Sequence, residues 1–236
     1  MTFRPYPGFT IATAIMLVIL LGLGFWQLDR RVSKLALIAR VEGHMAAPPV
    51  SLDAALRLDA DSAQYRRVTL TGHFDHAREA YVFAAAPGGD AVYHVLTPFI
   101  DHGRVLLVDR GEVPKEKLDP ASRAQANAPG ETRVTGVWRV PDPPGGFTPP
   151  PDRAHRIWYA RDLAGIAAAD GLALAAPALI EADAAPNPGG WPKGGQTVVT
   201  FRNEHLNYAI TWFCLAAGLL GIWLAYHVSR GRIAWK

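Results

Sequence analysis

The chain has 236 residues, half of them hydrophobic, with 24 Lys+Arg against 21 Asp+Glu, eight His and one Cys. Residues 29–204 hold 20 basic and 21 acidic side chains, and the basic excess sits in Arg4, Arg230, Arg232 and Lys236, so the clustered charge of a nucleic-acid binder is missing from the middle of the chain. The single cysteine, Cys214, excludes intramolecular disulfides, CxxC redox pairs, CxxCH haem attachment and cysteine zinc sites.

A tail of residues 1–8 precedes 20 uncharged residues from Phe9 to Leu28, enough to span a bilayer as helix. Arg4 before this run suggests a signal peptide, but the run exceeds the roughly 7–15 apolar residues of a signal core and no A-x-A site follows it. An uncleaved anchor is expected. The helix continues past Leu28, with Trp26, Arg30 and Lys34 four apart on one face, and Pro48-Pro49 ends it.

Short runs of strand character follow. Val68, Leu70 and Phe74 alternate within 67–74; further strands are expected at 80–84, 93–100, 104–109 and 133–140. Turn signals separate them, among them Pro87-Gly88-Gly89-Asp90 and Asp101-His102-Gly103. Asp162–Gly171 reads as a helix capped by Asp162 and stopped by Gly171. Late strands are expected at 178–182 and 197–201, and the Pro- and Gly-rich stretches 141–151 and 186–195 as loops.

The segment 29–204 thus reads as one mostly antiparallel-β domain of α+β type. A second span, residues 206–228, has only Asn207 and His227 as strongly polar members and precedes a basic tail, 229–236. That tail favours a cytoplasmic C-terminus. Arg30, Arg31, Lys34 and Arg40 favour the same side, but charges before a long translocated domain weigh less. The fold class expected is a membrane protein with two transmembrane helices flanking an extracytoplasmic domain, both termini inside.

Catalytic motifs are missing. The sequence contains no G-x-S-x-G, no G-x-x-x-x-G-K-[ST] and no dinucleotide fingerprint, and no pattern pairs carboxylates; no enzymatic activity is expected. His73 and His76 of His73-Phe74-Asp75-His76 point to opposite faces at strand spacing, so they read as solvated edge residues rather than metal ligands. His205 is placed differently. It opens the second span beside Glu204, and Tyr208 and Trp212 share its helical face at i+3 and i+7. An imidazole at the lipid boundary between aromatic walls suits axial ligation of haem iron, with Arg202, Arg30 and Lys34 available to propionates and Trp26 nearby. The competing explanation is an interfacial belt of aromatic and basic residues.

Further residues then form a recognisable set: Gly24-Phe25-Trp26-Gln27-Leu28-Asp29-Arg30, Tyr65-Arg66-Arg67-Val68 with Gly72-His73-Phe74, Tyr93-His94-Val95-Leu96-Thr97-Pro98-Phe99, Val108-Asp109-Arg110-Gly111 with Val113-Pro114, Trp158-Tyr159, and Arg202-Asn203-Glu204-His205-Leu206-Asn207-Tyr208 with Thr211-Trp212. From Gly24 to about Trp223 the chain resembles the Surfeit locus protein one (Shy-type) family. Two positions depart from the pattern: Glu112 replaces the usual aromatic of R-G-[WF]-[VI]-P, and Val92 stands where glycine is common.

The resemblance implies an assembly factor for haem-copper cytochrome c oxidase, acting at haem a insertion into subunit I, with the family's haem-associated histidine falling on His205. It implies a bacterial inner membrane with the main domain periplasmic, or alternatively the mitochondrial inner membrane. Subunit I and the lipid bilayer are the expected partners, and haem a synthase is a further candidate. A structural scaffold that stabilises a subunit I intermediate without binding haem is the alternative function. The loops around Arg110 and 141–151 are the expected partner surface.

Overall fold

The computed structural model describes residues 2–86, 88–127, 129–197 and 201–234. In chain order its elements are β1 (Thr2–Phe3), α1 (Pro7–Ala46), β2 (Val50–Ser51), α2 (Leu52–Leu56), α3 (Ala60–Ala63), β3 (Arg67–Phe74), β4 (Ala80–Ala85), β5 (Ala91–Asp101) and β6 (Arg104–Pro114). They continue with β7 (Thr132–Arg139), β8 (Ile157–Trp158), α4 (Leu163–Asp170), β9 (Leu174–Ala182), α5 (His205–Ser229) and β10 (Ile233–Ala234). The chain divides into two units, residues 1–40 with 200–236, and residues 41–199.

The first unit is an antiparallel helix pair. Helix α1 has 40 residues, about 60 Å at 1.5 Å rise, so it outruns the expected span of 9–28; α5 has 25 residues. Both are long and apolar enough to cross a membrane, with mean hydropathies of 2.3 and 1.8 over an 18-residue stretch of each. They meet along seams at spacings of three, four and seven. On α1 the seam runs through Thr13, Leu20, Gly24 and Gln27, and on α5 through Ala209, Phe213, Ala216, Trp223 and His227. A Cβ at Gly24 would meet the Phe213 ring at 2.5 Å, so glycine permits the close approach.

At the far end of the pair, Trp223 Nε1 donates to Thr10 Oγ1 (3.1 Å) and the Tyr6 amide donates to His227 Nε2 (3.0 Å). His227 Nδ1 donates to the Trp223 carbonyl (2.8 Å), so this fully buried imidazole has both nitrogens satisfied. Strands β1 and β10 pair antiparallel beyond it, which brings the two ends of the chain together. Ile11, Ile15, Val18, Leu215 and Ile222 are exposed on the pair, and Phe25, also exposed, packs its ring edge-on against Phe213, 5.4 Å between centroids.

The second unit is built on a sheet that closes on itself. The strand order β3-β7-β9-β6-β5 is completed by pairing of His73 and Phe74 in β3 with Ile100 and Phe99 in β5. Gly72 makes the closure possible, because a Cβ there would collide with the Ile100 carbonyl. The alternation expected from the sequence decides what fills the ring. Val68, Leu70, Phe99, Leu106, Val108 and Ile180 pack inside. On the outer face Leu107 and Leu179 pack with Trp158 and with Leu163 and Ile166 of α4. The continuous apolar run 105–108 is therefore a strand buried on both faces.

The strand expected at 67–74 is found with those bounds, that at 133–140 shifted by one residue, and those at 80–84, 93–100, 104–109 and 178–182 in longer form. Of the strand expected at 197–201, residues 198–200 lie outside the described residues, as do Pro87 of the expected turn and the last two residues of the basic tail. Helix α4 is capped as expected: the Asp162 side chain accepts from the Gly165 amide, and Gly171 terminates it in the left-handed region. The sheet is mostly antiparallel as expected, with parallel pairings at β2–β3, β4–β8 and β6–β9. After α4 crosses the outer face, β9 enters between β7 and β6, antiparallel to the first and parallel to the second.

Candidate functional site

His205 is the first residue of α5 and half-buried. Its Nδ1 lies 2.7 Å from Gln27 Oε1 of α1. The amide oxygen only accepts, so Nδ1 carries the proton and the lone pair resides on Nε2, which has no partner among the described residues. The seam places the two together: Gln27 follows Leu20 by seven, so it faces α5 at the level where that helix begins.

The other expected residues are dispersed around this pair. Tyr208, one turn along α5, is exposed; Trp212, two turns along, is half-buried, and its Nε1 is buried without a partner. Arg202 is 86% exposed at the side chain and lies 3.5 Å from Glu204, whose other oxygen accepts from Asn207 Nδ2 (2.6 Å). Trp26 and Arg30 are exposed on α1. Lys34 stacks its ammonium 4.7 Å from the Phe201 ring centroid. Thus His205, Tyr208 and Trp212 remain on one face, while no direct bond ties Arg202, Trp26 or Arg30 to the imidazole.

Sequence reasoning missed Gln27 as a site residue; the 13-20-27 spacing was the available signal. It also misplaced Arg110. This residue is on β6 and 2% exposed, so it is no part of a surface loop. It follows Leu106 and Val108 on the inward face, and its guanidinium stacks over Phe74, 4.8 Å from the ring centroid. Its Nη1 donates to Glu79 Oε1 and Asn127 Oδ1, both at 2.9 Å, and its Nη2 to the Ala126 carbonyl at 2.6 Å. Arg123 binds the same carboxylate, Nη2 to Oε2 at 2.6 Å and Nη1 to Oε1 at 3.2 Å.

Burial alone would raise the Glu79 pKa, but His76 and the two guanidiniums outweigh it and hold the carboxyl at about 2. Tyr81, 3.1 Å from Arg123 Nη2, is pushed up to about 12, chiefly by burial. His76 is also reassigned. Its Nδ1 lies 3.2 Å from Arg110 Nη1 and 3.5 Å from Glu79, so it belongs to this cluster, and only His73 is the solvated residue expected. Among the described residues no group of His, Cys, Asp and Glu has the arrangement of a metal site.

The neighbouring residue Asp109 points outward into a second network. It accepts from His94 Nδ1 (2.9 Å), Arg161 Nη2 (3.1 Å) and the Gly111 amide (3.0 Å). Those bonds depress the Asp109 pKa against its burial, and Asp109 raises that of His94 against the opposing effect of burial. Gly111, at φ +117°, allows the loop backbone at Lys193 to pair with Glu112, since a Cβ would collide with it. The residue at 112 makes this contact through its backbone, which a change from aromatic to Glu leaves intact.

Comparison with known proteins follows the same stretch of chain. The profile of the SURF1 family matches residues 14–217. The chain belongs to the SURF1 family. The Surfeit locus protein 1 of Mus musculus is 38% identical over 230 residues, covering 90% of this chain and 73% of the mouse protein. That of Homo sapiens is 38% identical over 221 residues, covering 86% and 72%. A SURF1-like protein of Monosiga brevicollis is 36% identical over 228 residues, covering 91% and 86%. The family match takes in Gln27 and His205 together with the whole barrel.

Proposed function

We propose that this chain is a membrane-anchored, non-enzymatic assembly factor for haem-copper cytochrome c oxidase that presents haem a to subunit I, with His205 as the axial ligand. The observation that carries the reading is the Gln27–His205 hydrogen bond. A ligating histidine donates its second ring N–H to a fixed acceptor, which sets the tautomer and the ring plane. Gln27 does this from the neighbouring helix and leaves Nε2 available.

The orphaned Trp212 Nε1 and the exposed Tyr208 ring suit a polar-edged, flat cargo along the same face. Arg202 reaches a propionate by exchanging its exposed ion pair with Glu204, which costs little. Family membership supports the oxidase assignment. Membrane insertion is supported by the apolar residues that the helix pair leaves uncovered, a surface too large for water, and the paired chain ends support both tails on the cytoplasmic side. In the 141–151 loop, the fully exposed Phe147 is the proposed contact with subunit I, in place of Arg110.

The test is the absorption spectrum of the protein purified from cells that make haem a. The wild type should carry a Soret band. His205→Ala should insert normally and lose the band, Gln27→Leu should shift or weaken it, and Arg202→Ala should lower haem content at an unchanged Soret position. Wild-type haem content and Soret position in His205→Ala would overturn ligation and leave the scaffold function. Reporters fused after residue 120 should be active outside the cytoplasm, and at Lys236 inside.

A further inference from the structure

The Glu79 cluster does not balance. One carboxylate faces two guanidiniums, and Tyr81 adds no charge at neutral pH, so a net positive charge remains in a cluster whose charged members are almost fully buried. Buried charge without a counter-charge is expensive. The donors do not balance either. Arg110 has five N–H groups; Nη1 is engaged, Nη2 has the Ala126 carbonyl as acceptor, and Nε is buried without a partner. The orphaned N–H is that of Nε, on the Nε–Nη2 edge, the side of a guanidinium that a carboxylate grips.

Arg110 also lines a cavity of about 350 Å³ at the mouth of the barrel. Phe74, Val134, Ala182 and Pro186 supply its apolar wall, and Arg133 stands at the rim. Asp183, the acidic residue in the lining, already accepts from the Ala185 amide (3.1 Å). We propose that this mouth is a binding site for a carboxylate bearing an apolar group, gripped by the Nε–Nη2 edge of Arg110. The carboxylate restores charge balance to the cluster and satisfies the orphaned N–H, while its apolar part covers Phe74. The site is independent of haem binding at His205.

The detergent-solubilised full chain is titrated with phenylacetate and with its neutral isostere 2-phenylacetamide, followed by calorimetry or ligand-observed NMR. Phenylacetate should bind saturably and the amide at least ten-fold more weakly. Ala185→Trp fills the rim from an exposed position that is not itself a member of the ion cluster; it should weaken phenylacetate at least ten-fold at an unchanged melting temperature. Arg110→Lys keeps the charge but removes the fork, with the same loss expected; if it fails to fold, Ala185→Trp decides. A short peptide ending in Phe, with a free or amidated C-terminus, identifies the source of the carboxylate. Binding of the free acid ten-fold tighter than phenylacetate assigns a protein C-terminus, and no gain assigns a small organic acid. Failure of phenylacetate to saturate, equal binding of acid and amide, or wild-type affinity in Ala185→Trp would overturn the site.

Discussion

Asp109 and Arg110 are adjacent on β6 and enter opposite faces of one sheet, each into a network of buried charge, yet the two networks are built differently. The inner one, around Glu79, keeps its charged groups from water: its carboxylate and both guanidiniums are within 3% of full burial. The outer one, around Asp109, reaches water through Arg161, whose side chain is 31% exposed; Arg161 also lies 3.6 Å from Glu181, which pairs in turn with Arg139, 24% exposed. Solvent answers for a missing partner more readily in the second network than in the first. A strand buried on both faces therefore carries one charge that the fold must neutralise internally and one that water helps to neutralise.

Removing the central anion separates the two. Glu79→Gln leaves two guanidiniums buried with no counter-charge and should destabilise the protein by about 3–5 kcal/mol, read as a fall in the denaturation midpoint of the solubilised chain. Acid should act on the same group. Its folded pKa of about 2 lies below the ordinary 4.5, so its stabilisation is present above pH 4.5 and lost as pH falls toward 2. Glu79→Gln should flatten that part of the stability profile; an unchanged acid limb would show that Glu79 does not control it.

Asp109→Asn should cost less, about 1–3 kcal/mol, because Asn still accepts from the Gly111 amide and Arg161 turns to solvent. A loss equal to that of Glu79→Gln would erase the distinction between the networks. The smallest effect is the pH dependence of His94. Its folded pKa is raised above the ordinary 6.5 by Asp109, so its contribution is complete below 6.5 and lost as pH rises through the folded value. Asp109→Asn should abolish this alkaline decline, as followed by the His94 ring shifts in NMR.

The helix pair was far more legible than these networks. His205, Tyr208 and Trp212 share a face because α5 is a regular helix, and their spacing said so before any packing was known. Gln27 required more. It lies 178 residues from His205, and its seam position specifies that it faces another helix without specifying which residue meets it. Arg110 was misread because the expected strand stopped at residue 109 and left it in a loop, whereas β6 runs on to Pro114 and parity with Leu106 and Val108 carries Arg110 inward. His76 was misread in a related way: strand spacing was carried past Phe74, where β3 ends and a 3₁₀ turn folds the ring back toward Glu79.

What the sequence determined alone is what depends on neighbours in the chain. The uncharged runs specify two long apolar helices, the alternation at 68–74 and the Asp162 and Gly171 caps specify strand and helix ends, and the residue set from Gly24 to Trp212 specifies the family. Tertiary structure decided which face of each strand points inward, that β3 and β5 meet to close the ring, and that Glu79 shields two arginines while His205 finds Gln27. Periodicity marks two faces of an element but does not name their partners, because that choice rests on contacts between residues distant in the chain, where sheet closure and the neutralisation of buried charge are satisfied together.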